Sequence, residues 1–443
     1  MKTGSDMNRE IVRLALPVIA GMISHTTLNI VDTAMVGRLG DVSLAAVGLG
    51  SFFILVAVLV FGALNIGTQA LTSRRLGENR PEEFPRIVAN SLLLAFAVGL
   101  TASAAGYFFT PRIFSLLSGD PGIVATGVPY LEIRFLGLFT MVMIFTLRGF
   151  VFGVARVRID MTVSIIVNLL NILLNSVLIF GKLGFPRLEV RGAAIASVIS
   201  TAIGLILYLV LVYWRILAGT ARRGAGLLSS EIIRTIVRIS APRAVQSVSI
   251  VGFLVFLSFI GRIGVKELAI SNIIFKAFNL SFMIGMSVGV ASATLVGRSL
   301  GEGKRSLAAR YGWRSAVIGS VLMGITGTLF MFFPRQIMGI FSDSPETIEI
   351  GVNAFRLLGA FQLIDGVGIV LSRTLQGAGS TMYVMICEMI CIWIVMIPFS
   401  WLAVERYGGN LAVAWLGLYL YMIVFSLMMV WKFREGGWKK VRI

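Results

Sequence analysis

Apolar residues fall in runs of about twenty, divided by short polar segments, from one end of the chain to the other. The stretches at 91–109, 164–181 and 411–431 are examples. A helix needs ~20 such residues to cross the hydrocarbon core of a bilayer. The pattern predicts twelve spans, near 11–36, 45–71, 87–109, 130–155, 160–181, 192–214, 235–261, 268–296, 311–333, 351–376, 380–404 and 411–431. The expected fold class is therefore an all-α integral membrane protein with an even number of crossings.

The pattern also repeats. A shift of 224 residues lays Val36-Gly37-Arg38-Leu39-Gly40 over Ile260-Gly261-Arg262-Ile263-Gly264, and Arg74-Arg75-Leu76-Gly77-Glu78 over Arg298-Ser299-Leu300-Gly301-Glu302. Pro17 and Pro242 stand near the opening of the first span of each half, and Pro111-Arg112 matches Pro334-Arg335 at the end of the third. Beyond them Ser118 and Pro121 fall over Ser342 and Pro345. Six is even, so two copies of six spans share one orientation. Parallel repeats related by an axis along the membrane normal are a transporter architecture, in which two similar bundles expose a shared cleft to each face in turn. The expected domains are an N-lobe over 1–214, an inter-lobe linker over 215–234 and a C-lobe over 235–443 with a basic tail.

Composition agrees and charge adds direction. The 443 residues are 57% hydrophobic and 14% charged, against the ~25% charge of a soluble domain. The net charge of +18 raises the question of nucleic acid. Its distribution answers it. Most of the 39 Lys and Arg lie on the side that holds the N-terminus, including Arg74, Arg75, Arg80, Arg86, Arg215, Arg222, Arg223, Lys304, Arg305 and the run from Lys432 to Arg442. The other side holds few, such as Arg38, Arg112, Lys182, Arg262 and Arg335. That bias follows the positive-inside rule and puts both termini in the cytoplasm. Lipid, not nucleic acid, is the expected partner of the basic segments. The polar N-terminus leads into a retained first helix, because no small-residue cleavage site ends the apolar stretch.

Ionisable groups inside spans cost ~2.5–3.5 kcal/mol even on the mildest scales, so each is a functional candidate. His25, Asn29 and Asp32 follow each other at helical spacing on one face of the first span. Asp32 has no basic residue within four positions, so it must face a wet cavity or take a cation or proton. His25 reads more as a structural residue. Asn168, Asn171 and Asn175 line the fifth span, with Ser197 on the sixth. Their oxygens suit a small hard cation, and Asp32, Asn171 and Asn175 are the candidate ligands of Na⁺. Amide ladders also tie membrane helices together.

In the second half, Gln362 and Asp365 share a face of the tenth span, and Asn272, Lys276 and Asn279 stripe the eighth. Glu388 lies within the eleventh. Lys276 is the expected counter-ion of Asp365 or Glu388, since pairing lowers the cost of burying both. Arg134, Arg148, Arg356 and Arg373 lie near span ends, where long side chains snorkel to headgroups. Cys387 and Cys391, one turn apart, read as small apolar side chains. No nucleotide-binding Gly-rich loop with its lysine is present, and one histidine supports neither a metal centre nor a Ser-His pair. An enzyme is not expected.

These motifs resemble a known family. Leu16-Pro17, Val31-Asp32-Thr33-Ala34-Met35-Val36-Gly37-Arg38-Leu39-Gly40 and Leu44-Ala45-Ala46-Val47-Gly48 are similar to the first-span region of multidrug and toxic compound extrusion (MATE) transporters. Leu76-Gly77-Glu78, Leu147-Arg148-Gly149 to Gly153, Gly192-Ala193-Ala194-Ile195-Ala196 and Leu375-Gln376-Gly377-Ala378-Gly379 agree in order and spacing over about 10–434. The resemblance implies two six-helix lobes forming a V in the cell (inner) membrane. It also implies export of amphipathic, often cationic compounds in exchange for H⁺ or Na⁺. No other cofactor is expected, and the chain is expected to be a monomer. It places Asp32, Asn171, Asn175 and Ser197 in a coupling site, with Asn175 where some members carry aspartate. Asp365 falls on a tenth-span aspartate of one subgroup, whose seventh-span glutamate has only Gln246 nearby here. A flippase of lipid or lipid-linked substrates in the same superfamily is the alternative.

Overall fold

The computed structural model describes residues 3–219, 227–341, 344–406, 411–441 and 443. Part of the expected linker, with Arg222 and Arg223, lies outside the described residues, as do Ser342 and Arg442. Among the described residues there is no strand.

The first half contributes α1 (Gly4–Gly37), α2 (Asp41–Phe61), α3 (Leu64–Gly77), α4 (Phe84–Leu117), α5 (Pro121–Leu136), α6 (Leu138–Gly153), α7 (Arg158–Leu178) and α8 (Glu189–Val212). The second contributes α9 (Ser230–Gln246), α10 (Ser249–Ile263), α11 (Val265–Gly301), α12 (Arg305–Phe332), α13 (Pro334–Gly339), α14 (Pro345–Gly377), α15 (Thr381–Ile390), α16 (Ile397–Arg406) and α17 (Leu411–Glu435). Among the described residues, eleven helical stretches are long and apolar enough to cross a membrane. A twelfth is the α5–α6 pair, bent by 45°. Its bend sits at Gly137, where any Cβ would press into Val198.

Three further spans expected to be continuous are interrupted. The second breaks at 62–63 into α2 and α3, the seventh at 247–248 into α9 and α10, and the eleventh carries a π-helical segment over Cys391–Met396. Pro17 and Pro242 lie inside α1 and α9 rather than at their openings. A proline there removes a backbone donor from the helical ladder.

The chain divides into two compact units near these prolines. One is Met1–Leu16 with Val245–Ile443, the other Pro17–Ala244. Hydrogen bonds explain the exchange of segments. Arg314 donates to Asn8 and to the Gly4 carbonyl, and Tyr311 to Glu10, so the start of α1 is held by α12. In the other unit, the Gly67 N–H donates to Ser240, and Asn90 bonds both the Leu227 carbonyl and the Ser229 N–H.

Small residues bring the helices together. A Cβ at Gly149 would stand 2.3 Å from the Asn65 carbonyl oxygen, and one at Gly153 2.6 Å from the Thr72 Cβ. This Gly-x-x-x-Gly face lets α6 approach α3 backbone to backbone, and Asn65 Nδ2 donates to the Phe145 carbonyl across it at 2.9 Å. The close neighbour of Gly149 is backbone and cannot swing aside. Gly149→Ala is therefore expected to cost about 1–3 kcal/mol through overpacking, read as a lower midpoint of thermal unfolding in detergent. An unchanged midpoint would contradict the contact. In the second half, α11, α12 and α14 pack on one another, and a Cβ at Gly327 or Gly359 would reach 2.4 Å from the other's carbonyl oxygen.

The repeat is visible in the backbone too. Asn79 and Gly303 both take left-handed φ, +56° and +72°. Around them, Glu78 N–H bonds the Arg74 carbonyl as Glu302 N–H bonds that of Arg298, and Arg80 bonds Arg75 as Lys304 bonds Ser299. The 224-residue register holds atom by atom at this turn.

Candidate functional site

In the unit Pro17–Ala244, α1, α7 and α8 bring four predicted residues into one network. Helical spacing puts Asn171 and Asn175 one turn apart on α7, facing α1 on one side and α8 on the other. Asn175 Nδ2 donates to Asp32 Oδ1 at 2.7 Å and to Asn171 Oδ1 at 2.9 Å. Asn171 Nδ2 donates onward to Ser200 Oγ at 3.1 Å and to Ser197 Oγ at 3.4 Å. Asn171, Asn175 and Ser200 are buried, while Asp32 and Ser197 are half-buried. Asn175 Oδ1 is buried with no hydrogen-bond partner among the described residues. An orphaned acceptor beside a carboxylate is costly unless something donates to it or coordinates it. Ser200 was not among the predicted residues, although it follows Ser197 by three positions and shares its helix face. Asn168 lies one turn below and donates to Ser24 at 2.8 Å, tying α7 to α1.

A second cluster in this unit was missed. Arg148 Nε on α6 donates to Asp160 Oδ1 at 2.7 Å, its Nη2 reaches Ser164 Oγ at 3.2 Å, and the buried Tyr208 hydroxyl on α8 donates to the same Asp160 oxygen. The guanidinium also lies 5.0 Å from the Phe145 ring centroid. Arg148 thus does not snorkel to headgroups; it is satisfied internally. Asp160 sits in the first turn of α7, where the helix N-terminus favours negative charge. Gly21 brings α1 against Asp160, and His25 lies one turn further along the same helix.

In the other unit the predicted residues form two separate groups. Gln362 on α14 accepts from Ser281 at 2.5 Å, and Ser281 pairs with Thr326 of α12 at 2.6 Å. Asp365, one turn along α14, is buried, and its Oδ2 has no hydrogen-bond partner among the described residues. The second group is a chain. Arg373 donates to Gln376 at 3.1 Å, Gln376 to Gln246 at 2.9 Å, and Gln246 to Glu388. Gln246 therefore bridges where only a neutral residue was expected. Like Arg148, Arg373 finds an internal partner.

The ion pair expected of Lys276 is not formed. Lys276, Asn272 and Asn279 lie on an exposed face of α11, and Lys276 Nζ stands 5.9 Å from the Phe341 ring centroid. It makes no ion pair among the described residues. The reason is geometric: Lys276 faces away from the core of its unit, while Asp365 faces into it. Cys387 and Cys391 are free and buried, as their apolar reading requires.

Comparison with known proteins agrees with the repeat. The MatE family profile matches residues 17–177 and again 242–402. A Thermotoga maritima protein named "Probable multidrug resistance protein NorM" is 27% identical over 98% of this chain and 94% of its own length. An outward-facing multidrug resistance MATE family transporter superposes with a TM-score of 0.89 at 21% identity, covering 98% and 97% of the two chains. A MOP superfamily transporter from Pyrococcus furiosus, whose binding pocket is described as having a reverse polarity that suggests a different function, superposes at 0.88 and 23% identity over 98% and 97%.

Proposed function

From the premise that this chain belongs to the MatE family of multidrug and toxic compound extrusion transporters, we propose that it exports amphipathic, often cationic compounds in exchange for H⁺ or Na⁺. The chain works by alternating access in the cell membrane, with both termini cytoplasmic. The observation that carries this reading is the buried amide ladder ending on Asp32, with Asn175 Oδ1 left unsatisfied beside it.

An amide suits a site that gains and loses charge. Against ionised Asp32, Asn175 presents its Nδ2 donor, as here. Against a protonated or cation-bound Asp32, rotation of the amide presents Oδ1 as acceptor or ligand instead. The move also breaks the bond to Asn171 Oδ1, and with it the continuous amide chain from Asp32 to Ser197 and Ser200 on α8. Ion binding at Asp32 is thereby transmitted from α1 through α7 to α8, and the loss of negative charge weakens the hold on a cationic substrate. Purified protein in proteoliposomes is expected to drive efflux of a cationic dye under an imposed pH or Na⁺ gradient, and the gradient that works identifies the ion. Efflux indifferent to both gradients would overturn antiport.

Lys276 favours one second reading, transport of a lipid or lipid-linked anion. It is a cation on an exposed face without an ion-pair partner among the described residues, and such a cation suits an anionic headgroup. Movement of a fluorescent anionic lipid in the same vesicles, with no dye efflux, is the outcome that selects this reading over the first.

A further inference from the structure

The two halves carry the same turn with different charge. In the first half, Arg75 pairs with Glu78 at 2.6 Å and with Glu83 at 2.9 Å, and Arg80 lies 3.4 Å from Glu83. Glu82 and Glu83 form the short 3₁₀ turn that leads into α4. Arg75 and Arg80 are thus answered within the segment.

In the second half the 224-residue register puts Ser306 where Glu82 stands and Leu307 where Glu83 stands. Lys304 replaces Arg80, Arg310 matches Arg86, and Arg305 takes the place of Pro81. Both segments keep four basic residues, and the second has lost two carboxylates. What occupies the vacated place is a cavity of about 770 Å³, lined by Arg298, Lys304, Arg305 and Arg310 against Glu10 and Glu302. Its size falls in the range of about 300–1,000 Å³ typical of small-molecule sites.

Both carboxylates are already engaged. Glu302 accepts from Arg298 at 3.1 Å and from Lys304 at 2.9 Å. Burial alone would push its carboxyl up, but Lys304 and Arg298 more than offset that and hold it below its usual range. Glu10 accepts from the Tyr311 hydroxyl. Arg305 and Arg310 are exposed and make no ion pair among the described residues. The placement is also locally unfavourable: Lys304 and Arg305 open α12 with no acidic residue in its first turn and no side-chain cap. Helix N-termini favour the opposite sign. The charge and the cavity together ask for an anion from outside the segment.

We propose that this cavity binds a phosphate-bearing anion, held by Arg305 and Arg310 with the Ser306 hydroxyl and the first-turn N–H groups of α12 beside them. The guanidinium fork matches phosphate oxygens in pairs. The cavity lies at the end of α11 and α12 that meets the start of α1, where the basic segments gather, so the headgroup of an anionic phospholipid and a soluble phosphate are its two sources. An occupant would join the start of α1 to α12 and stabilise the unit that contains both.

The test is a titration of full-length protein in neutral detergent, followed by thermophoresis. The ligands are dioctanoyl-phosphatidylglycerol, dioctanoyl-phosphatidylcholine and inorganic phosphate. Phosphatidylglycerol is expected to bind wild type at least about tenfold tighter than it binds S306E, which restores a first-half carboxylate, or the double variant R305A/R310A. Its affinity should also fall with salt, as screening requires. All three substitutions are at exposed positions, and unchanged size-exclusion profiles establish folding. Inorganic phosphate binding as tightly as the lipid assigns the soluble source, and lipid binding alone assigns the membrane source; either supports the site. Equal affinity for phosphatidylcholine, no binding to wild type, or affinities unchanged in both variants would overturn it.

Discussion

Asp32→Asn is expected to abolish gradient-driven efflux, lowering the coupled rate at least about 100-fold, or about 2.7 kcal/mol at ~1.36 kcal/mol per factor of ten. Asparagine keeps the volume of Asp32 and can still accept from Asn175 Nδ2, so the protein should fold, insert and purify as wild type. What it loses is the ability to change charge. A ligand shifts a conformational equilibrium only through different affinity for the two states. Moving a population from 1:99 to 99:1 takes ~5.5 kcal/mol of such difference. A neutral amide at position 32 supplies none of it. Wild-type, gradient-dependent efflux from the variant, measured in proteoliposomes at matched protein content, would refute the coupling role. Asn175→Ala provides the graded comparison: the carboxylate remains, but its link to Asn171 and α8 is cut, so efflux should slow while still following the gradient.

That network was largely readable in the chain because its parts obey helical spacing. Asn171 and Asn175 are one turn apart, and Asp32 is a carboxylate in an apolar run with no local cation. The duplication was readable for a related reason: the turns at 74–80 and 298–304 keep their glycine, arginine and glutamate in register. What escaped is tertiary. Arg148 and Asp160 are twelve residues apart across the turn between α6 and α7, and each sits near a span boundary. There an arginine looks like a headgroup anchor and an aspartate looks like loop. Only the fold shows that they face each other and Tyr208, which comes from a third helix. Lys276 failed in the opposite sense. Charge balance suggested a partner, but helix rotation, which a single stripe of Asn272, Lys276 and Asn279 leaves undetermined, turned it away from Asp365. The break at 62–63 was hidden because it lies inside uninterrupted apolar sequence, and the one at 247–248 because Gln246, Ser247 and Ser249 mark a polar patch within a span as readily as a break.

The Arg148–Asp160–Tyr208 cluster carries the largest stability effect expected in the chain. Arg148→Ala leaves the Asp160 carboxylate almost wholly buried, with the Tyr208 hydroxyl as its remaining donor. Breaking a buried pair from one side costs about 3–5 kcal/mol, most of it the penalty of the stranded charge. Asp160→Ala should cost as much, because it strands the guanidinium with only neutral neighbours, Ser164, the Tyr208 hydroxyl and the face of Phe145. Tyr208→Phe removes a single hydrogen bond to a charged group and should cost about 1.5–3 kcal/mol. The decisive variant replaces all three at once, as R148M/D160L/Y208F. With no charge left to strand, an apolar core of similar volume is expected to recover most of the loss, since buried ion pairs give little net stability over well-packed hydrophobic residues. Thermal unfolding in detergent reads each step, and efflux in proteoliposomes reads what the cluster does besides. A triple variant that is stable and still couples efflux to the gradient makes the cluster a clamp between α6, α7 and α8. One that is stable but uncoupled makes its charges part of the path that α1 shares through Gly21 and His25. Single variants that unfold at the wild-type temperature would show that the pair is not buried as described.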